Sequence, residues 1–374
     1  MKIKAERKAL AETVAWVGQA TPKRVQTPAL AAVHLTATSG RLVARAFDYD
    51  TSHAAVLANV EIINDGEALV PAAFLRDILP GLKGAQVELV LDAQTFSVTS
   101  GRSTYRTRVL ALADYPTLPS VPPVKGFIDA DALRELVATA AWAVDPDANV
   151  ADITMAGITA VHIEGDTDGA LTFVGTDRFV VSEAATAWTG DAVLEANVPL
   201  APLVAAVKGL NGQVALAHEG GLFGLSDGDR TITTRTIEAG FPNWRPLMRP
   251  AADDDGAWTT DAPELTAAIK RTRPLIDEKS SLIFDADTEL TLTIPSSEAG
   301  EGIEYLDAEH VEGDLPASFR MDPNKIGPAL QALGGRSVRI GWKQGNKPVT
   351  LRSDDRPGVT MLVMPKRDLA GGPR

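Results

Sequence analysis

Five histidines and 49 acidic residues are the groups in this sequence best suited to holding a metal or moving a proton. The histidines (His34, His53, His162, His218 and His310) are scattered, with no partners at the i+3 or i+4 spacing that sets two ligands on one helix face. The stretch DPDANVADITMA, from Asp145, begins like a calcium loop. Val150, however, stands where glycine must make the sharp turn, and Ala156 where a bidentate glutamate belongs, so a helix-exit loop is the better reading. No G-x-x-x-x-G-K-[ST] phosphate loop occurs, and GWKQGNKPV around Gly345 reads as a hairpin turn. Thr176-Asp177-Arg178 is polar enough for a catalytic cluster, but its counterpart FDYD, earlier in the chain, points to a strand-end turn. No spacing singles out a pair of carboxylates. The expectation is a non-catalytic protein with no metal and no cofactor.

The basic residues are more informative. Acids outnumber lysine and arginine 49 to 36, for a net charge of −13. Within the segments 71–83, 199–212 and 323–334 the balance reverses: Arg76, Lys83, Lys208 and Lys325 face one acid, Asp77. Lys23 and Arg24 add to this set, as does the cluster Lys270, Arg271 and Arg273. Charge alone leaves two readings open, an ordinary solvated helix surface or a face held near phosphates. A face of the second kind would hold nucleic acid without reading its sequence.

The elements that carry these residues recur three times. ERKALAETVAWVG from Glu6, DADALRELVATAAWAV from Asp129 and DAPELTAAIKRTR from Asp261 read as amphipathic helices, with apolar pairs Leu10/Val14, Leu133/Val137 and Leu265/Ile269. Asp129 and Asp261 are candidate N-caps. Strand-like alternation follows each helix (GRLVARAFDYD, GALTFVGTDRF and TELTLTIPSSE), and then a second helix begins. From Leu42 to Val70, Leu171 to Val198 and Leu290 to Phe319 the intervals are 28, 27 and 29 residues. Two of the second helices run from proline to glycine, Pro71 to Gly84 and Pro199 to Gly212. The first two copies end in an aromatic–proline turn, ADYPTLPSV and GFPNWRPLM; the third ends in the strand VTMLVMPKR. Near-equal spacing makes chance similarity a poor account. Domain boundaries are expected near 122 and 250, at the connectors VPPVKG and RPAADDDG.

At 374 residues the chain is long enough for two or three domains. No apolar run approaches a membrane span, and MKIKAERKAL has charges but no apolar core of a secretory leader. The absence of cysteine excludes disulfides and thiolate chemistry and suits a reducing cytoplasm.

The threefold unit, MKIKAERKAL, SGRSTYR, DYPTLP, TDRF, FPNWRPL and VMPKR, in this order and spacing, resemble the bacterial DNA polymerase III β subunit family, the sliding clamps, over residues 1 to about 367. The resemblance implies an α+β fold of three clamp domains (1–122, 123–250 and 251–374, with a short tail at 368–374), each with two helices packed on antiparallel sheets. It implies a head-to-tail homodimer closing a ring around duplex DNA, acting as a processivity factor. By position, Tyr105 and Thr107 would meet Pro274 and Leu275 across the dimer, while Lys23, Arg24, Arg76, Lys83, Lys208 and Lys325 would face DNA. A peptide pocket serving the replicative polymerase, the clamp loader and other clamp-binding proteins would consist of Met155, Thr176, Arg178, Val181, Pro242, Leu247, Leu362 and Met364. Its rim would be Asp152, Thr154, Phe179, Val180, Arg320, Lys366 and Arg367. Val180 stands where many relatives carry arginine, and the tail is expected to lie near the groove and tune access to it. The protein would be cytoplasmic and nucleoid-associated, without a membrane partner. The competing expectation is a β-rich carbohydrate-active enzyme or surface-binding module.

Overall fold

Among the described residues a strand leads into a helix six times, with only Asp322 intervening before the last, giving α1 (Arg7–Val17), α2 (Ala72–Ile78), α3 (Ala130–Ala141), α4 (Leu200–Val207), α5 (Ala262–Thr272) and α6 (Pro323–Leu333). The structure is a computed structural model that describes residues 1–22, 24, 27–148, 153–276, 281–286, 289–313, 317–344 and 347–366. Four of these helices start on an acidic side chain that takes up free N–H groups of the first turn. Glu6 accepts from Lys8 N and Ala9 N at 2.9 and 2.6 Å, and Asp129 from Asp131 N at 2.8 Å. Asp261 accepts from Glu264 N at 2.7 Å, and Asp322 from Asn324 N at 2.9 Å. Each such cap stabilises its helix by about 1 kcal/mol.

The apolar pairs read from the sequence face inward. Leu10, Val14, Leu133, Val137, Leu265 and Ile269 are all buried, and each is worth roughly 1.5–3 kcal/mol of apolar burial. The second helices of the first two repeats are shorter than the proline-to-glycine interval. α2 stops at Ile78 and passes into a 3-10 turn, Leu79–Gly81, with a proline in its first turn. Pro80 lacks the N–H that would continue the ladder. α4 ends at Val207, and a Cβ on Gly209 would lie 2.3 Å from the Trp16 ring, so the chain passes this indole only as glycine.

By contacts the chain divides into two units, Met1–Arg134 with Trp188–Ile237, and Glu135–Ala187 with Glu238–Arg374. In the first unit, a five-stranded sheet runs Glu61–Asn64, Lys2–Glu6, Gln86–Asp92, Thr95–Ser100, Ser103–Arg108. A nine-stranded sheet of the same unit joins the first repeat to part of the second through antiparallel pairing of Arg230–Arg235 with Thr51–Leu57, where Ile232 faces His53. In the second unit, eight strands run in the order Ala160–Gly165, Ala170–Thr176, Val180–Ala187, Val359–Val363, Val349–Arg352, Ser337–Trp342, Gly256–Asp261, Ala308–Gly313. A four-stranded sheet runs Gly300–Leu306, Leu290–Ser297, Leu282–Ala286, Ala317–Met321. The middle repeat is therefore shared between the units, because its strands pair with both of its neighbours in sequence.

The aromatic–proline turns do the same packing work in both repeats. Tyr115 packs on the buried cluster Ala29, Ala32 and Leu69 and lies 5.6 Å from the His34 ring. Phe241 packs on Val174, Val181, Trp244 and Leu362 and stacks on His162 at 4.7 Å. Each histidine is in turn held by a glutamate, Glu67 at 2.9 Å and Glu164 at 2.7 Å. Among the described residues no helix is long and apolar enough to cross a membrane.

Candidate functional site

The end of the strand Ala170–Thr176 and the start of Val180–Ala187 are joined by a turn with a fixed hydrogen-bond plan. Asp177 Oδ1 accepts from Phe179 N and Val180 N, both at 2.9 Å. Thr176 Oγ1 donates to Val180 O at 2.6 Å and accepts from Arg178 N at 3.0 Å. Arg178 is left at φ +77°, and the chain then exposes Phe179 to 64% of its free area. Thr176-Asp177-Arg178 is thus the strand-end turn expected from FDYD, which repeats the plan: Asp48 Oδ1 accepts from Asp50 N and Thr51 N, with Tyr49 at φ +79°.

This turn meets the last strand of the chain. Val181 pairs with Leu362 and Val180 with Val363. Met364 N donates to Phe179 O and Lys366 N to Arg320 O, both at 2.8 Å. Beneath the pairing, Val181 and Leu362 form a buried cluster with Val174 and Trp244, capped by half-buried Phe241 and Met248. Beside it opens a cavity of about 540 Å³ lined by Arg178, Phe179, Asp322, Lys325, Met364, Pro365 and Lys366. Its volume falls in the range of ligand-holding clefts. The Lys325 ammonium is bound to the Asp177 carboxylate, and Lys366 Nζ lies 3.6 Å from Asp322 Oδ2.

The segment from Gly240 to Met248 forms a further wall in the same unit. Leu247 N donates to Trp244 O at 2.9 Å, and the Leu247 side chain is 40% exposed while Pro242 is half-buried. Arg245 covers the Trp244 ring at 4.7 Å and is ion-paired with Glu164, itself hydrogen-bonded to His162. A Cβ on Gly157 would sit 2.5 Å from Gly240 O, so glycine lets the two segments touch.

Of the pocket residues expected from sequence, Thr176, Arg178, Val181, Leu362 and Met364 thus come together at one junction, with Phe179, Val180, Arg320 and Lys366 of the rim. Pro242 and Leu247 lie on the segment carrying Phe241 and Trp244. Asp152 and Arg367 fall outside the described residues, as do the side chains of Met155 and Thr154 and the tail. Lys325, grouped by sequence with the DNA-facing cations, lines the cavity because Asp177 draws its ammonium there. Sequence reasoning missed Val174, Phe241, Trp244, Asp322 and Pro365. Trp244 was legible in principle, as a large aromatic inside FPNWRPL.

Among the other cations, Arg24, Lys83 and Lys208 are exposed, Arg76 is exposed and paired with Asp77 at 2.8 Å, and Lys23 lies outside the described residues. Tyr105 and Thr107 lie on Ser103–Arg108, the edge of the five-stranded sheet, where Tyr105 is 42% exposed. This edge also carries Arg106 and Arg108, both exposed. Leu275 lies against a different edge: a Cβ on Gly300 or Gly302 would be 3.3 or 3.4 Å from its methyls. The strand Gly300–Leu306 ends the four-stranded sheet, exposes Ile303 and Tyr305 (55% and 64%), and carries Glu301 and Glu304. Pro274 precedes Leu275 in the same 3-10 turn and is exposed. The first edge carries two exposed arginines; on the second Glu301 is exposed, while Glu304 is held by Arg271 at 2.7 Å.

A sequence profile for the DNA polymerase III β subunit, N-terminal domain, matches residues 1–119. The β sliding clamp of Streptomyces coelicolor is 31% identical over 98% of this chain and 99% of its own length. That of Synechococcus elongatus is 30% identical over 98% and 99%. The crystal structure of the DNA polymerase sliding clamp from Bacillus subtilis superposes with a TM-score of 0.89 over 98% of this chain and 99% of that one, at 20% identity.

Proposed function

The chain belongs to the bacterial DNA polymerase III β subunit family, the β sliding clamps, and from that premise we propose that it is a processivity factor: two copies close head to tail into a ring around duplex DNA and tether the replicative polymerase to it. The observation that carries the proposal is a pair of sheet edges, without a further strand partner among the described residues, whose exposed charges, Arg106 and Arg108 against Glu301, are opposite. Ser103–Arg108 offers Arg106 and Arg108, and Gly300–Leu306 offers exposed Glu301 beside Ile303 and Tyr305, with Glu304 already paired to Arg271. An open edge is an aggregation hazard, and a two-fold assembly that joins one copy's basic edge to the partner's acidic edge removes both hazards at once. Tyr105, Thr107, Pro274 and Leu275 belong to this interface.

The division into domains 1–122, 123–250 and 251–374 is part of the same reading and follows the repeat rather than the contact units. Arg24, Lys83 and Lys208, with Lys23, Arg76 and Lys325, serve as a weak phosphate-facing lining. The junction of Val181, Leu362 and Met364 is the docking groove for a short peptide of the polymerase, the clamp loader and other clamp-binding proteins, with leucine and aromatic side chains as anchors. The protein is a non-catalytic accessory subunit working in the cytoplasm at the nucleoid. The carbohydrate-active alternative has no support, since the relatives aligned over the whole chain are sliding clamps. Sedimentation at micromolar concentration tests the assembly. A dimer is expected, with rings in electron micrographs; a monomer without rings contradicts it.

A further inference from the structure

The first unit contains another cavity, of about 800 Å³, apart from the peptide groove. Its lining includes His53, Asp48, Arg76 and the small side chains Ala72, Ala73 and Ala205. His53 is only 1% exposed, and its Nδ1 is 3.0 Å from the Trp16 carbonyl oxygen. A carbonyl only accepts, so the ring proton sits on Nδ1 and Nε2 carries a lone pair. Nε2 has no hydrogen-bond partner among the described residues, on a ring that lines the cavity. Burial lowers the imidazole pKa to about 4, which keeps the ring neutral, and an acceptor at this nitrogen, near pH 7.

Asp48 contributes the second acceptor. Its Oδ1 is committed to Asp50 N and Thr51 N at 3.0 and 2.7 Å, and its Oδ2 has no partner among the described residues. Arg76, the one cation on the wall among the described residues, does not offset this carboxylate, because its Nε donates to Asp77 Oδ1 at 2.8 Å. The cavity therefore presents a neutral lone pair and a negative charge beside methyl groups and Gln19, while the wall hydroxyls of Thr21 and Thr51 are already bonded to Gly18 O and Thr234 Oγ1. An anion would meet repulsion from both, and a hydrocarbon would leave both unpaired.

We propose that this cavity binds a small organic ammonium, whose N–H groups donate to Asp48 Oδ2 and His53 Nε2 while its carbon body rests on Ala72, Ala73 and Ala205. The site is separate from the peptide groove and shares only Arg76 with the proposed phosphate-facing cations. Ligand-observed NMR titration of the full chain with benzylamine tests it, beside benzyl alcohol and benzoate, which share the ring but not the charge. Benzylammonium should bind saturably, benzyl alcohol at least tenfold more weakly, and benzoate not at all. Asp48→Asn keeps the turn-forming oxygen and removes the charge; it should weaken benzylammonium at least tenfold. Ala73→Phe, at an exposed position of α2, should fill the cavity and abolish binding. Absence of saturation, which would mean a water-filled cleft only, overturns the proposal. So does benzoate binding as well as benzylamine, or equal binding to wild type and both variants. The series on the wild-type chain decides even if a variant folds poorly.

Discussion

Arg178 occupies a left-handed backbone conformation that a residue with a Cβ adopts only at some cost, and Asp177 and Thr176 hold it there through four hydrogen bonds. That turn brings Phe179 and Arg178 to one cavity with Met364, so the candidate groove depends on residues that touch across strand ends far apart in sequence. Met364→Ala should weaken binding of a glutamine-leucine-phenylalanine type peptide by roughly 1–3 kcal/mol, read by fluorescence anisotropy, with dimerisation unchanged. Unchanged affinity would move the groove elsewhere. His53 makes a separate residue-level claim about pH. Folded, it takes a proton only near pH 4, against an ordinary value of 6.5. Between those values the unfolded chain binds more protons, so the stabilisation is complete above pH 6.5 and is lost as pH falls toward 4, by roughly 3 kcal/mol in all. Urea midpoints at pH 7 and pH 4.5 should therefore fall further for wild type than for His53→Gln. Equal falls would mean that His53 does not couple folding to protons.

The elements divide into those the sequence states locally and those it does not. The helix starts at Asp129 and Asp261 were legible because a capping acid ahead of an i, i+4 apolar pair is a local signal, and both side chains do cap. Strand alternation was legible for the same reason. The ends of α2 and α4 were misjudged, since Pro80 and the close approach of Gly209 to Trp16 act from inside an interval that looked uniformly helical. The groove was recoverable only through family resemblance: Val181 and Leu362 are neighbours because two strands pair, and no local pattern records that partnership. Lys325 was assigned by charge alone, which cannot foresee the ion pair with Asp177. The sheet edges give the element-scale prediction. Glu301→Lys with Ile303→Lys sets like charge against Arg106 and Arg108 of the partner copy and removes an apolar contact. The dimer dissociation constant should rise roughly tenfold or more, with an unchanged far-ultraviolet spectrum. Sedimentation of the double variant reads this, and a dimer as tight as wild type would rule out the edge pairing.

At the scale of the whole molecule, three repeats of strand, helix, strands and second helix give a β sliding clamp family member with a net charge of −13, for which we propose a ring around duplex DNA. The two properties are compatible if topology rather than affinity retains the duplex. A few exposed cations such as Lys83 and Lys208 give weak, salt-sensitive contact that permits sliding, and the acidic excess elsewhere disfavours wrapping of nucleic acid on the outer surface. Retention should then depend on whether the DNA has an end. The direct measurement is gel filtration of the protein after loading onto nicked circular duplex by a clamp loader with ATP, before and after a restriction enzyme linearises the circle. The account predicts that the protein co-elutes with the circle in moderate salt and leaves once the duplex is cut; equal retention on circular and linear DNA would contradict it.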